Sequence, residues 1–479
     1  MVDKDLLSMQ EARSLVRAAK VAQAAFAEYD QERVNAIVEA IAKEAVAQAE
    51  SLAALAVEET GFGKVQDKKT KNILASEKLI AATKDMKTIG VLCDDKDRKV
   101  VEVAVPMGVI AGIIPSTNPT STTIYKTIIS LKSGNAIVFT PHPSAKKCIG
   151  KTVEMIRGVL AKCGVCEDMV AVMSVPTLQG SGELMKAADL ILATGGPGMV
   201  KAAYSSGTPA LGVGAGNVPA YIERSADIED AISKIMASKT FDNGTVCASE
   251  QSIVVDRVIA DKVKATLIAH GGYFLEGHDL HKVKAVMERG NGSMNPDIVG
   301  RDAQYIAKLA GIEIPQGTRL LVSDEEGIGP KYPFSKEKLT QLLGFYVVED
   351  WKEACETCFA LLENGGVGHS LAIHSHNEEV ICEFGMKKPV SRMLVNTPST
   401  HGAVGLSTSL FPSFTLGCGT VGGSSTSDNV TPLNLMNVRR IAYDLGNTQC
   451  ASACEKNESL NLDVQAITAM IVDQLKQMA

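Results

Sequence analysis

One stretch of the chain concentrates nucleophile chemistry: Phe241-Asp242-Asn243-Gly244-Thr245-Val246-Cys247. A turn-forming run delivers a cysteine, and Ile253-Val254-Val255 follow as an apolar, β-branched run. The pattern reads as a loop or helix start presenting Cys247 ahead of a buried strand. Cysteine suits attack on a carbonyl because its thiolate is intrinsically nucleophilic. Backbone N–H groups at a helix start would lower the thiol pKa without a basic partner. The plainer reading is a small buried apolar side chain, the usual fate of a free cysteine. Two other pairs, Cys163/Cys166 and Cys355/Cys358, have metal-ligand spacing. Neither lies in a ribbon-like context, so both read as incidental thiols and no metal site is expected.

Elements able to position such a residue are legible along the chain. Residues 8–60 are rich in Ala, Glu, Lys and Leu, with apolar positions at near-helical spacing. They predict two or three amphipathic helices, with Asp30 capping the second and Gly61 ending the last. From about residue 100, apolar strands alternate with helical runs. The strands fall at Val109 to Ile114, Ala136 to Phe139, Met169 to Ser174 and Leu190 to Ala193. That alternation predicts an α/β fold built on a doubly wound parallel sheet. Ligands of such sheets bind beyond the C-terminal ends of the strands. Thr117 and Asn118, Thr140 and His142, and the loop Thr194-Gly195-Gly196-Pro197-Gly198 all fall there. The loop is a plausible diphosphate cradle at a helix start, although the strict dinucleotide fingerprint is not present. A second glycine-rich loop, Gly365 to Ser370, carries His369.

Four segments in order carry a family resemblance: Pro115-Ser-Thr-Asn118-Pro-Thr, Ala193-Thr-Gly-Gly-Pro-Gly-Met199, Phe241 to Gln251, and Thr415-Leu-Gly-Cys-Gly419. Together they resemble aldehyde dehydrogenases over nearly the whole chain, to about Asn447. The nearest branch is the CoA-acylating one, meaning the aldehyde half of bifunctional alcohol/aldehyde dehydrogenases and the acylating enzymes of bacterial microcompartments. The resemblance implies a Rossmann-like cofactor domain over 1–240 with a return near 430–448, and an α/β catalytic domain over 241–429. It implies Cys247 as nucleophile, Asn118 as oxyanion donor and His369 as a residue able to orient or deprotonate a thiol. NAD would bind near Thr117, Thr140, His142, Thr194, Gly195, Gly196, Gly198, Gly214 and Glu337, with CoA as co-substrate. For Glu337 a solvated surface charge stays open, and for His369 a purely structural role. Hydrolytic relatives carry a general-base glutamate in the segment Leu211 to Pro219; lined up on Pro219, that position holds Val213. Without the carboxylate, water loses its proton acceptor, whereas a thiol needs less help. Aldehyde plus CoA plus NAD giving acyl-CoA is therefore the expected reaction. A hydrolytic aldehyde dehydrogenase, or a cysteine acyltransferase without redox chemistry, are the alternatives.

Composition narrows the partners. Of 479 residues, 45% are hydrophobic and 22% charged, which is ordinary globular material. A formal net charge of −7 with no basic cluster argues against nucleic acid. The sequence shows no signal-like start and no apolar run of membrane-spanning length, so eleven cysteines suggest reduced thiols in the cytoplasm. The resemblance also implies a homo-oligomer. Residues 449–457 read as a linker. After them Leu460, Val464, Ile467, Ile471, Leu475 and Met478 recur at helical spacing. A short amphipathic helix on a linker wants a partner surface. Either it packs on the enzyme itself or, as the resemblance implies, it targets a microcompartment shell protein.

Overall fold

The computed structural model describes residues 3–289 and 293–445. The expected linker and helix of 449–479 lie outside them. The described residues divide into two units, one within 3–89 and 105–437, the other of 90–104 and 438–445.

The larger unit holds two parallel sheets. The first has five strands in the order Val170–Val172, Ala136–Pro141, Val109–Ile114, Leu190–Thr194, Ala210–Val213. All four pairings are parallel, as the alternation of strands and helices predicts. The chain winds outward in one direction from Val109–Ile114, then returns and winds the other way from Leu190–Thr194. The crevice beyond these two strands is the switch point where ligands of such sheets bind. Every residue of the helix Pro119–Lys132 is buried, which pins Asn118 at its N-cap. Three helices, Lys4–Phe26, Gln31–Ala47 and Ala49–Thr60, pack on this layer. Asp30 accepts the Arg33 N–H at 2.8 Å, and Gly61 ends the third helix at φ +69°.

The second sheet has seven parallel strands in the order Gly272–Phe274, Leu320–Asp324, Leu342–Val348, Glu250–Asp256, Val218–Ile222, Gly368–His374, Val390–Val395. Its core is mostly aliphatic, with Val218, Ile253, Val255 and Leu343 beside Phe345. Val218–Ile222 already belongs to this sheet, so the crossing precedes the boundary expected at 241. Val430 and Leu435 pack into the core of the first layer.

The smaller unit is a three-stranded sheet in the order Gly90–Asp95, Val100–Pro106, Met436–Ala442. Its first two strands run antiparallel with a register shift between Val91 and Cys93. Among the described residues no helix is long and apolar enough to cross a membrane, and no cluster of His, Cys, Asp or Glu could hold a metal ion. Cys355 and Cys358 ride the helix Trp351–Glu363, with Cys358 buried in apolar packing.

Candidate active site

The strand ends of the first sheet meet the strand starts of the second around a cavity of about 350 Å³. From the first sheet come Pro115 to Asn118, Thr140 to Pro143, and Thr194 to Pro197; from the second come Gly214, Ala215, Thr245, Cys247 and Glu337. Sequence reasoning thus scattered over more than 200 positions converges on one space. Gly198 is the exception among the expected cradle residues: it is exposed and does not line the cavity.

Cys247 sits in a loop, not at a helix start. Asp242 and Asn243 both take left-handed backbone conformations, at φ +49° and +53°, and no helix follows before the strand Glu250–Asp256. Such conformations cost about 1–3 kcal/mol each and persist only where the surroundings enforce them. Here the surroundings do. Asn243 Nδ2 donates to the Gly300 carbonyl at 3.0 Å, and Gln341 Nε2 donates to Asn243 Oδ1 at 3.0 Å. Gly63 must be glycine, because a Cβ there would lie 1.8 Å from Asp242 Oδ1. Gly216 likewise clears the backbone of the nucleophile loop, since its Cβ would lie 2.1 Å from the Cys247 carbonyl oxygen.

Burial pushes the Cys247 thiol up to about 12, with the Glu337 carboxylate a further cause. A helix-start thiolate is therefore not what this loop builds. The thiol has a hydrogen-bond partner instead: His369 Nε2 lies 3.1 Å from Cys247 Sγ, and His369 Nδ1 lies 3.0 Å from Ser370 Oγ. His369 is not on a glycine loop as expected; it is the second residue of the strand Gly368–His374 and fully buried. Burial first, then the nearby Arg392 cation, lower it to about 3. Arg392 is held by the His369 carbonyl at 2.9 Å and the Gly417 carbonyl at 2.6 Å. At neutral pH the pair is a neutral thiol beside a neutral imidazole. The unprotonated imidazole lies within hydrogen-bond reach of the sulfur.

Asn118 caps the buried helix at the strand end, with its Nδ2 donating to the Thr245 carbonyl and to Thr117 Oγ1, both at 3.2 Å. Glu337 is half-buried on the cavity wall, not on the surface. Its Oε1 accepts the Gly216 N–H at 3.0 Å, and burial pushes the carboxyl up to about 7. Thr140 Oγ1 lies 2.8 Å from Ser181 Oγ, and Thr194 Oγ1 lies 3.5 Å from Thr415 Oγ1. His142 Nδ1 accepts the Ser144 N–H at 3.2 Å, and burial lowers its pKa. A Cβ on Gly196 or Gly214 would meet nothing within 4 Å, so open space stands before the helix Pro197–Tyr204. Backbone N–H groups, small residues and an uncluttered helix start fit a dinucleotide diphosphate. Val213 is buried in an apolar cluster against which Cys247 packs, so no carboxylate stands at that point.

Several participants escaped the sequence reading. His401, read as a loop residue, lies on the helix Ser399–Ala403 edge-on to the Phe241 ring, 4.8 Å between centroids. Lys68 and Lys71 converge on Asp242 beneath Asn118. The run Asp67-Lys-Lys-Thr-Lys71 looks like a solvated charge run; only its i, i+3 spacing hinted at a shared face.

The first sheet brings the glycine-rich loop at its switch point and the Asn118 amide to one cavity, and Cys247, with His369 behind it, comes from the second. The aldehyde dehydrogenase family model matches residues 5–282, and the chain belongs to that family. It is 43% identical over 442 residues to the bifunctional aldehyde-alcohol dehydrogenase of Escherichia coli K12, covering 91% of this chain and 50% of that protein. The chain thus spans about half the length of the curated relatives it matches first. It is 47% identical to an acetylating aldehyde dehydrogenase of Geobacillus thermoglucosidasius of known structure, with a TM-score of 0.92 over 93% of this chain and 99% of that one. A propionaldehyde dehydrogenase from the fucose-utilisation microcompartment of Clostridium phytofermentans is 30% identical, with a TM-score of 0.81 over 89% of this chain and 96% of that one.

Proposed function

We propose that the protein is a CoA-acylating aldehyde dehydrogenase that converts an aldehyde, CoA and NAD to an acyl-CoA and NADH. The observation that carries this reading is the Cys247–His369 pair at 3.1 Å, with Val213 where a water-activating carboxylate would stand. Bound in the cavity, NAD would supply the hydride acceptor and CoA the thiol that takes the acyl group. Cys247 Sγ attacks the aldehyde carbon while its proton passes to His369 Nε2. The Asn118 side-chain amide and the Cys247 backbone N–H stabilise the oxyanion of the resulting thiohemiacetal. A thioester on Cys247 then has buried Val213, in the same apolar cluster, where hydrolytic relatives carry a water-activating glutamate. Gly195, Gly196 and Gly214 give a diphosphate close approach, and Thr117, Thr140, His142, Thr194 and Glu337 line its bed. Omitting CoA tests the reaction type: acyl-CoA should form only with CoA, and steady acid release without it would favour the hydrolytic reading.

Two substitutions probe the parts separately. Asn118→Ala should lower kcat by about 10²–10³, the usual loss for one oxyanion donor. A change confined to KM would leave Asn118 a substrate-binding residue only. Val213→Glu should raise CoA-independent acid formation. A carboxylate in this dry cluster is costly, so its melting temperature must be read alongside. A folded variant with unchanged acid output would count against the account of acceptor choice.

The remaining assignments concern partners. The family likeness supports a homo-oligomer. The helical spacing of 458–479 and the likeness to a microcompartment enzyme support a shell protein as partner and a location inside such a compartment. Fusing 458–479 to a fluorescent protein should carry it into shells; a fusion left diffuse beside intact shells would refute the targeting role.

A further inference from the structure

A side-chain amide serves as an oxyanion donor only if its nitrogen, and not its oxygen, faces the reacting atoms. Nothing in Asn118 itself decides this. Its neighbour does. Lys71 Nζ lies 2.6 Å from Asn118 Oδ1, and lysine has donors only, so the amide oxygen must face the lysine. The nitrogen edge is left for the Thr245 carbonyl and the cavity.

The lysine is itself held from several sides. The helix Val65–Ile73 brings Lys68 and Lys71, one turn apart and both buried, onto the buried carboxylate of Asp242. Asp242 Oδ2 accepts from Lys68 Nζ at 2.9 Å, from Lys71 Nζ and from Thr245 Oγ1 at 2.7 Å. Asp242 Oδ1 accepts the Lys64 N–H at 2.8 Å, and the Asp242 N–H donates to Asp67 Oδ2 at 2.7 Å. Lys68 Nζ also donates to the Thr117 carbonyl at 2.9 Å, at the residue before Asn118. The Phe241 ring closes the site with its centroid 5.4 Å from Lys71 Nζ. Burial lowers Lys71 to about 8, against the opposing pull of Asp242, so it remains a cation at neutral pH. Simple ion pairing would need one lysine for one carboxylate. The second lysine spends a contact on the amide oxygen, where a cation draws electron density from the C–N bond and makes the N–H a stronger donor.

We propose that Lys71 is a positioning residue for the oxyanion site, fixing the Asn118 amide with its nitrogen toward the cavity and polarising it. This rests on the reading of Asn118 as an oxyanion donor. It also assigns a purpose to the left-handed backbone of Asp242: the turn holds the carboxylate under the lysine pair, and the lysine pair orients the amide.

The test uses acylation of Cys247 by p-nitrophenyl acetate, which passes through a tetrahedral oxyanion without NAD or CoA. The thiol proton passes by way of His369 to solvent, Sγ bonds to the acyl carbon, the ester C–O bond breaks, and p-nitrophenolate leaves. The burst rate is read against a Cys247→Ala blank that removes labelling of other thiols. Asn118→Ala should slow the burst about 10²–10³-fold, and Lys71→Met about 10–10²-fold. The double variant should be no slower than Asn118→Ala alone, within about threefold, because Lys71 acts through the amide. Losses that multiply would overturn the inference and make Lys71 a support of the loop fold. If Lys71→Met slows nothing while Asn118→Ala does, the inference alone fails. If Asn118→Ala itself leaves the burst unchanged, the oxyanion reading fails and takes the inference with it. Melting temperatures accompany each variant. Should Lys71→Met not fold, Lys71→Leu, which has neither donor nor charge, enters the same cycle under the same criterion.

Discussion

Cys247→Ala is expected to abolish acyl-CoA formation, with a loss of about 10⁴-fold or more, while NAD affinity stays near that of the parent enzyme. The size of the effect follows from the loop. The Cys247 sulfur touches the buried imidazole, and left-handed backbone at Asp242 and Asn243 shapes the loop that presents it. Alanine leaves the same backbone, so the cradle at Gly195 and Gly196 on the opposite sheet keeps its shape. Binding and chemistry should therefore separate cleanly. Mass spectrometry provides an independent check. With aldehyde and NAD but no CoA, the acyl mass should appear on Cys247 and on no other cysteine. Cys418 is the informative control, being buried in the same apolar cluster but donating only to the Leu416 carbonyl. An adduct there instead would remove Cys247 as the nucleophile.

What could be read from sequence was what local rules determine. The strands Val109–Ile114 and Leu190–Thr194 announce themselves by apolar run and flanking glycine or proline, and their ends place Asn118 and the Gly195-Gly196 cradle without any contact information. Asp30 and Gly61 were legible because a cap is a local hydrogen bond and a left-handed turn is a local steric fact. The electrostatics were not. A thiol at a supposed helix start should have been acidified, yet Cys247 is pushed the other way by burial among Val213, Val246 and Leu416, residues far apart in the chain. The same holds for Lys71. In sequence it belongs to a run of charges. Its burial depends on Asp242, more than 170 positions away, supplying the carboxylate. His369 was found by resemblance, but its strand setting was missed because glycines at 365, 366 and 368 outweigh the short apolar run after it.

The shifted pair makes a pH prediction that separates two roles for His369. In a thiolate–imidazolium pair, the sulfur would be ionised near neutrality and alkylation or acylation would level off there. In the site as built, the thiol ionises only near 12 and the imidazole gains a proton only as pH falls toward 3. His369 stays unprotonated throughout the range between these values, and a base this weak takes the thiol proton only as the C–S bond forms. The burst of Cys247 acylation by p-nitrophenyl acetate should accordingly be nearly level from about pH 5 to 9 in the parent enzyme. A modest bend near 7 is expected, where Glu337 ionises and its charge disfavours any developing thiolate. His369→Ala should cost about 10²–10⁴-fold at pH 7, the usual worth of a positioned proton acceptor. The variant must react through preformed thiolate, so its rate should climb tenfold per pH unit across the same range. The parent and variant profiles should then converge toward high pH. A parent enzyme with the variant's slope would mean that His369 takes no proton in the attack. A variant with a level profile would mean that another group does.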